Sequence, residues 1–174
     1  MLGNIASSSI KNFTRIGFGG GCHWCTEAVF SALQGVHQVE QGYISSHAPN
    51  NAYSEAVLVD YDEQDIQLKT LIEIHLRTHA SASQHSMRGK YRSAVYVSDH
   101  DLARRCDRLL ISLQDNFENP LVTQVLKMLD FRLSSDRYRN YYLSNPDKPF
   151  CTTYIEPKLA MLKRDFSTAI KATP

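Results

Sequence analysis

The residues most able to do chemistry are two cysteines, Cys22 and Cys25, which follow a run of three glycines. The spacing Cys-x-x-Cys occurs in zinc sites, in thioredoxin-type redox pairs and in haem attachment sites. It also suits a single nucleophilic thiolate beside a second thiol, because a helix N-terminus favours the ionised form of a cysteine. Apolar residues recur at helical spacing directly after Cys25, so the sequence predicts such a helix start.

Metal and haem binding fit this pair poorly. A structural zinc site needs four ligands, and the nearest second pair, His75 and His79, continues the apolar face of a predicted helix about fifty residues away. Attachment of a c-type haem needs histidine directly after the second cysteine, where Thr26 stands. We therefore expect no metal ion and no bound cofactor.

The glycines indicate a tight turn from a strand into a helix. The stretch from Gly17 to Cys22 lacks the third glycine of a dinucleotide-binding fingerprint, and no Gly-Lys-Ser/Thr of a P-loop follows it. Glycines at such a turn allow backbone N–H groups to approach a reacting centre closely. A thioredoxin-type pair at the helix start remains compatible with the local pattern, but the order of the surrounding strands is not that of a thioredoxin fold.

The pattern along the chain predicts one α+β domain over residues 13–174, preceded by a flexible arm over residues 1–12. Strands are predicted at 13–18, 35–45, 54–61, 92–98 and 121–125, the last of them at an edge. Helices are predicted from Cys25 to Gly35 and at 65–79, 99–116 and 156–170. This order favours helices on one face of a mixed, mostly antiparallel sheet.

Composition places the chain among ordinary globular proteins. Its 174 residues are 43% hydrophobic and 21% charged, with a formal net charge of +1. There is no basic run that suggests nucleic acid and no apolar stretch long enough to span a bilayer. The start of the chain lacks the pattern of a signal or transit peptide, so we expect a cytoplasmic protein whose four cysteines are free or catalytic.

The stretch GGGCHWCTEAVF resembles the Gly-Cys-Phe-Trp signature of the methionine sulfoxide reductase A family. The resemblance extends over about residues 15–166 and includes further short motifs in the family's order. These motifs are Gly42-Tyr43, Ser54-Glu55-Ala56-Val57, Lys90-Tyr91-Arg92-Ser93, Asn145-Pro146 and Phe150-Cys151. The resemblance implies a ferredoxin-like, two-layer α+β sandwich and the thiol-dependent reduction of methionine-S-sulfoxide, either free or in proteins.

The resemblance also implies residue roles. The Cys22 thiolate would attack the sulfoxide sulfur, and Glu55, kept protonated by apolar walls, would protonate the sulfoxide oxygen. Tyr43 and Tyr91 would donate hydrogen bonds to that oxygen, while Trp24 would pack on the substrate's methyl group. Methionine would leave, and the nucleophile would become a sulfenic acid.

A second thiol must then resolve the sulfenic acid as a disulfide. The resemblance favours Cys151, which aligns with the family's tail cysteine, over Cys25, because helical geometry is expected to direct the Cys25 side chain away from Cys22. Thioredoxin, or dithiothreitol in vitro, would return the disulfide to the dithiol. Besides its substrate and thioredoxin we expect no further partner, and we expect a monomer.

The chain departs from the family pattern at the substrate-binding side. His23 replaces the family's phenylalanine, and two interpretations stay open: a tolerated exchange of one aromatic ring for another, or a changed substrate range or pH profile. The family's Gly-Asn-Asp-x-Gly stretch aligns with residues 84–88, where His85 and Ser86 stand and no carboxylate is present, so Ser86 is the candidate substrate contact. Two alternatives stay open: a non-catalytic relative that binds a sulfoxide or a partner, and a general thiol–disulfide oxidoreductase that uses Cys22 and Cys25.

Overall fold

The central sheet of the computed structural model, which describes residues 11–172, has six strands. In chain order they are β1 (Thr14–Gly19), β2 (Val36–Ser45), β3 (Ser54–Tyr61), β4 (Ala94–Val97), β5 (Gln124–Lys127) and β6 (Asp130–Leu133). Their order across the sheet is β5-β4-β1-β3-β2-β6. All neighbouring strands pair antiparallel except β4 and β5, which are parallel.

The α-helices are α1 (His23–Ser31), α2 (Leu68–Arg77), α3 (His100–Leu113), the single turn α4 (Tyr141–Ser144) and α5 (Glu156–Asp165). A π-helical turn, Cys151–Ile155, leads directly into α5, and a 3₁₀ turn, Ser86–Gly89, lies in the connection before β4. Within residues 11–172, no helix is long and apolar enough to cross a membrane.

The main core lies between the sheet and the helices. Because side chains alternate along a strand, Ile16 and Phe18 of β1 face this core, whereas Gly17 between them faces the side chains of Ile44 and Tyr96 on the other side of the sheet. The helices α1, α2 and α3 all contribute buried apolar residues to the main core. They therefore cover one face of the sheet, and a smaller apolar cluster lies on the opposite face.

The expected α+β class with a mixed, mostly antiparallel sheet is confirmed. The strand predicted at 54–61 has those bounds, and the edge strand predicted at 121–125 lies at Gln124–Lys127. The helix predicted over 156–170 is wrong in its extent, because it ends at Asp165, and β6 is a strand that the sequence did not predict. The arm predicted at residues 1–12 lies almost entirely outside the described residues, and the single domain stays a prediction.

Truncation of Phe18 should destabilise this core strongly. Its ring is fully buried and stacks on Phe30 with centroids 4.4 Å apart. We expect Phe18→Ala to lower the free energy of unfolding by about 3 to 5 kcal/mol, because lost burial and a residual cavity add. Urea unfolding would measure it. Phe13→Ala, at a 38% exposed position, serves as the control with a loss below about 1 kcal/mol, and an equal loss in both variants would contradict the prediction.

Candidate active site

Cys22 occupies the N-cap position of α1, at the end of the turn that leaves β1. The turn passes so close to the residues that follow α2 that a Cβ atom on Gly20 would clash with the ring of His79. A side chain at that position would push the turn away, so glycine permits the close approach. Cys22 is partly exposed and lines a cavity of about 390 Å³.

The Cys25 thiol lies within hydrogen-bonding range of the Cys22 sulfur. The expectation that helical geometry directs Cys25 away from Cys22 is therefore wrong. Cys22 has non-helical dihedrals, φ −58° and ψ 128°, and the side chains of an N-cap residue and of the residue three positions later face each other, as in a capping box. Both cysteines line the same cavity.

This contact separates the two thiols chemically. The hydrogen bond from Cys25 lowers the pKa of Cys22, and the backbone N–H groups of Trp24 and Cys25 at the helix start act in the same direction, against burial and the charge of Glu55. The same hydrogen bond, together with burial, raises the pKa of Cys25. Cys22 is therefore the member of the pair whose thiol ionises first, as the role predicted for it requires.

Cys151 and Cys25 belong to the same small apolar cluster, which also contains Ala28 and Ile155. Cys151 is the first residue of the π-helical turn, is fully buried, and donates its thiol proton to the carbonyl of Asn145 at 3.5 Å. Cys22 packs at the border of this cluster. The cluster thus brings together three free thiols. Cys22 and Cys151 were predicted to take part in catalysis, whereas Cys25 was not.

Glu55 and Tyr43 lie on one face of the sheet, because they form a directly opposed pair between β3 and β2. The carboxylate of Glu55 accepts a hydrogen bond at 3.1 Å from the backbone N–H of His23, the residue after Cys22. Its charge is close enough to oppose ionisation of Cys22. The expected carboxyl group is therefore next to the expected nucleophile.

The walls around Glu55 are not apolar, which corrects the expectation of an apolar enclosure. His23 Nε2 lies 3.7 Å from Oε2 of Glu55, and Lys90 Nζ lies 3.7 Å from Oε1. The imidazole of His23 is buried, bonds through Nδ1 to the carbonyl of Gly42 at 2.9 Å, and packs edge-on against Tyr43. Burial lowers the pKa of His23, and the charge of Lys90 adds to this, while Gly42 and Glu55 oppose it.

Lys90 was not among the residues predicted for the site. Its backbone carbonyl accepts from the N–H of Glu55 at 3.0 Å, which fixes it beside the carboxylate. Its ammonium group hydrogen-bonds Tyr91, and this contact, followed by the charge of Glu55, raises the pKa of Lys90. The signal was present in the sequence, since the family's Gln-Tyr-Arg-Ser stands here as Lys-Tyr-Arg-Ser.

Tyr91 lines the cavity, as its predicted role requires, but Ser86 does not. Arg88 lies in the connection before β4. It donates hydrogen bonds to the carbonyls of Gly20 and Tyr91, both at 2.9 Å, and so fixes this connection against the glycine turn that precedes Cys22. Ser86 is exposed, and its neighbours His85 and Met87 line the cavity instead. The 3₁₀ turn thus places the residues on either side of Ser86 toward Cys22.

Trp24 is covered by the C-terminal segment. Its indole stacks on the ring of Tyr141 with centroids 3.9 Å apart and planes inclined by 1°, and Phe150 packs edge-on at 5.3 Å. The indole is not part of the cavity lining, and its Nε1 is buried without a hydrogen-bond partner. One face expected to receive the substrate's methyl group is therefore occupied by Tyr141, a residue that the sequence did not single out.

The histidine pair considered for zinc is engaged in hydrogen bonds. His75 Nε2 donates to the carbonyl of Gly19 at 2.7 Å, and His79 Nε2 lies 2.8 Å from the hydroxyl of Ser93. Among residues 11–172, no cluster of three or more histidine, cysteine, aspartate or glutamate side chains has the geometry to hold a metal ion.

Comparison with known proteins agrees with this geometry. The sequence model of the family described as "Peptide methionine sulfoxide reductase" matches residues 14–170. The peptide methionine sulfoxide reductase MsrA of Trichodesmium erythraeum is 32% identical over 88% of this chain and 96% of its own. Mxr1 from Saccharomyces cerevisiae in reduced form superposes with a TM-score of 0.68 at 19% identity, over 82% of this chain and 91% of its own. A complex of Mxr1 with Trx2 gives a TM-score of 0.57 at 16% identity, over 72% and 84%.

The thiol of lowered pKa at a helix N-terminus, beside a buried carboxyl group on an α+β sheet, together with these matches, places the chain among the thiol-dependent oxidoreductases. The chain belongs to the peptide methionine sulfoxide reductase family. The expected activity, reduction of methionine sulfoxide by a thiol mechanism, is confirmed at the level of the family.

Proposed function

We propose that this reductase converts methionine-S-sulfoxide to methionine at Cys22, with Glu55 as the group that protonates the sulfoxide oxygen. The observation that carries the proposal is the placement of Cys22, whose sulfur is favoured as a thiolate by Cys25 and by the start of α1 while Glu55 is bonded to the next backbone N–H. Tyr91 lines the cavity and Tyr43 lies opposite Glu55 on the neighbouring strand, which supports them as the proposed donors to the same oxygen.

The first step balances with one proton. The Cys22 thiolate attacks the sulfoxide sulfur, the oxygen takes a proton from Glu55, and the S–O bond breaks as the oxygen passes to Cys22. The products are a Cys22 sulfenic acid and methionine. The cysteine sulfur is oxidised by two electrons, and the sulfoxide sulfur is reduced by two.

The order of the three thiols supports Cys25 as the first resolving thiol and Cys151 as the second. Attack of Cys25 on the sulfenic acid forms a Cys22–Cys25 disulfide and releases water. Cys151, which belongs to the same cluster as Cys25, then exchanges onto the Cys25 sulfur and releases Cys22 as a thiolate. This order replaces direct attack by Cys151, since the Cys25 thiol already lies against Cys22.

A dithiol protein of the thioredoxin type is the proposed reductant, with dithiothreitol as its substitute in vitro. The solved complex of Mxr1 with Trx2, which shares the fold, supports this assignment. No bound cofactor is needed, because all the electrons come from thiols. Free methionine sulfoxide and sulfoxide in proteins are both proposed substrates. The monomeric state and the cytoplasmic location stay predictions.

A stoichiometric reaction without reductant tests the proposal. One equivalent of methionine sulfoxide should yield one equivalent of methionine, and the protein should lose the mass of two hydrogens as a disulfide forms. Peptide mapping by mass spectrometry of samples quenched early should find Cys22 joined to Cys25, and later samples should find Cys25 joined to Cys151. A Cys22–Cys151 disulfide as the first product would contradict the order of the relay, and absence of methionine would contradict the function.

The same reaction separates the two alternatives. A binding-only relative would retain methionine sulfoxide without forming methionine. A general thiol–disulfide oxidoreductase would reduce insulin disulfides in a manner that depends on Cys25 but not on Glu55. Neither alternative explains why a buried carboxyl group adjoins the nucleophile.

A further inference from the structure

Two departures from the family pattern meet at one carboxyl group. His23 stands in place of the family's phenylalanine and Lys90 in place of its glutamine. In the fold, His23 Nε2 faces Oε2 of Glu55, and Lys90 Nζ faces Oε1, both at 3.7 Å. Each departure therefore places a basic group against a different oxygen of the proposed proton donor.

The two basic groups differ in exposure. The side chain of Lys90 is 54% exposed, so water and salt screen its charge. The side chains of His23 and Glu55 are 6% and 9% exposed, and charges and protons interact more strongly across such a dry contact. The exchange at His23 should therefore affect the proton on Glu55 more than the exchange at Lys90 does.

The hydrogen bond of the imidazole fixes which nitrogen titrates. Nδ1 lies 2.9 Å from the carbonyl oxygen of Gly42, and a carbonyl oxygen can only accept. Nδ1 thus carries a hydrogen whether the ring is neutral or charged, and Nε2 is the nitrogen that gains and loses a proton. That nitrogen is the one that faces Glu55.

A deprotonated Nε2 and an ionised Oε2 would present lone pairs to each other. Their approach is favourable only when one proton belongs to the pair, on the nitrogen or on the oxygen. In the pair, the proton of Glu55 therefore has a second group that can hold it, which a carboxyl group that faces the Lys90 ammonium alone does not have.

We propose that His23 is a positioning residue that shares its Nε2 proton with Glu55 and so supplies the proton that Glu55 delivers to the sulfoxide oxygen. This inference rests on the proposed function. The single proton of the pair moves from Nε2 to Oε2 and from Oε2 to the sulfoxide oxygen, which leaves Glu55 ionised and His23 neutral until Nε2 takes a proton from water. The sulfur of Cys22 is still oxidised by two electrons and the sulfoxide sulfur is still reduced by two, as in the first step of the proposed reaction.

The other groups that face the pair set the sign of its pH dependence. Cys22 precedes His23 on α1, Tyr43 packs against the imidazole from β2, and Lys90 faces Glu55 from the connection before β4. Arg132 of β6 pairs with Tyr43 in register but stacks on the ring of Tyr53. Ionisation of Cys22 limits the rate on the acid side, and loss of the shared proton limits it on the alkaline side.

Single-turnover kinetics test the proposal. The rate of methionine formation after rapid mixing with methionine sulfoxide, without reductant, is measured between about pH 5 and about pH 9, where imidazole and perturbed carboxyl groups titrate. We expect His23→Phe, which restores the family's residue, to move the alkaline fall to lower pH by about one to two units. At alkaline pH its rate should be about tenfold or more below that of the unsubstituted protein.

Two further variants keep the test decisive. His23→Gln retains a polar side chain but no titrating nitrogen, so it should show the same shift as His23→Phe. His37→Phe, at an exposed histidine of β2, should leave the profile unchanged. The pH dependence of alkylation of Cys22 by iodoacetamide shows whether the acid limb, rather than the shared proton, has moved.

The outcomes separate this inference from the function on which it rests. The role of His23 is overturned if the rate of methionine formation falls at the same alkaline pH in His23→Phe, His23→Gln and the unsubstituted protein. A shift in His23→Phe alone would assign the effect to lost polarity rather than to the proton and would overturn it too. If the unsubstituted protein forms no methionine, the proposed function fails instead.

Discussion

Cys22→Ser is expected to lower the rate of methionine formation by at least about 10⁴-fold, because a serine hydroxyl cannot replace a thiolate and removal of a nucleophile eliminates its whole reaction path. The placement of Cys22 explains why the loss should be complete. Its sulfur is the one whose pKa is lowered, whereas the Cys25 proton is held by the contact between the two thiols. Chromatographic quantification of methionine in a single turnover would measure the loss.

Cys106→Ala is the matched control for a cysteine outside the site. Cys106 is fully buried in the main core on α3, away from the cluster that holds the other three thiols. We expect this variant to lose stability but to form methionine at the normal rate at a temperature where it is folded. Turnover by Cys22→Ser above about a tenth of the normal rate would show that another thiol attacks the sulfoxide.

Glu55→Gln should lower the rate of the same step by about 10² to 10⁴-fold, the usual range for loss of a general acid. Glutamine has nearly the same shape and can still accept the hydrogen bond from the His23 backbone N–H, so the fold around Cys22 should persist. It has no proton to give to a sulfoxide oxygen, which is a poor leaving group until it is protonated. Rapid-quench measurements with free methionine sulfoxide would detect the change.

Glu63→Gln provides the control for loss of a carboxylate that is paired but remote from the site. Glu63 pairs with Arg105 at the surface, and its pKa is lowered by that guanidinium. We expect its rate to stay within about twofold of normal, because a surface ion pair contributes little even to stability. A Glu55→Gln variant as fast as this control would exclude Glu55 as the acid.

The elements that the sequence predicts well are those buried by their own pattern. The strand over 54–61 is buried along nearly its whole length, so its run of apolar residues sets both bounds. β6 has four residues at the edge of the sheet, and three of them are exposed. Its position is determined by pairing with β2 rather than by any pattern in its own residues, which is why no local signal indicated it.

The site shows the same division between local and distant causes. The resemblance located Glu55 and Tyr43, and the register between β2 and β3 explains why these two residues lie side by side. The error at Cys25 had a local cause, because rules for the interior of a helix were applied to its N-cap. Lys90 contacts Glu55, and Tyr141 stacks on Trp24, only because distant segments of the chain fold over the site. Residue spacing in the sequence does not predict such contacts.

The stacking of Trp24 has an optical consequence. The chain contains a single tryptophan, so all indole fluorescence originates next to the nucleophile. Its ring lies against Tyr141 and Phe150, which belong to the segment that carries Cys151, and such stacked aromatic contacts exclude water from the indole face. The proposed relay joins Cys151 of this segment to Cys25, so we expect the emission of the indole to change as the disulfide forms. The single tryptophan should therefore report the redox state of the proposed relay in a fluorescence measurement.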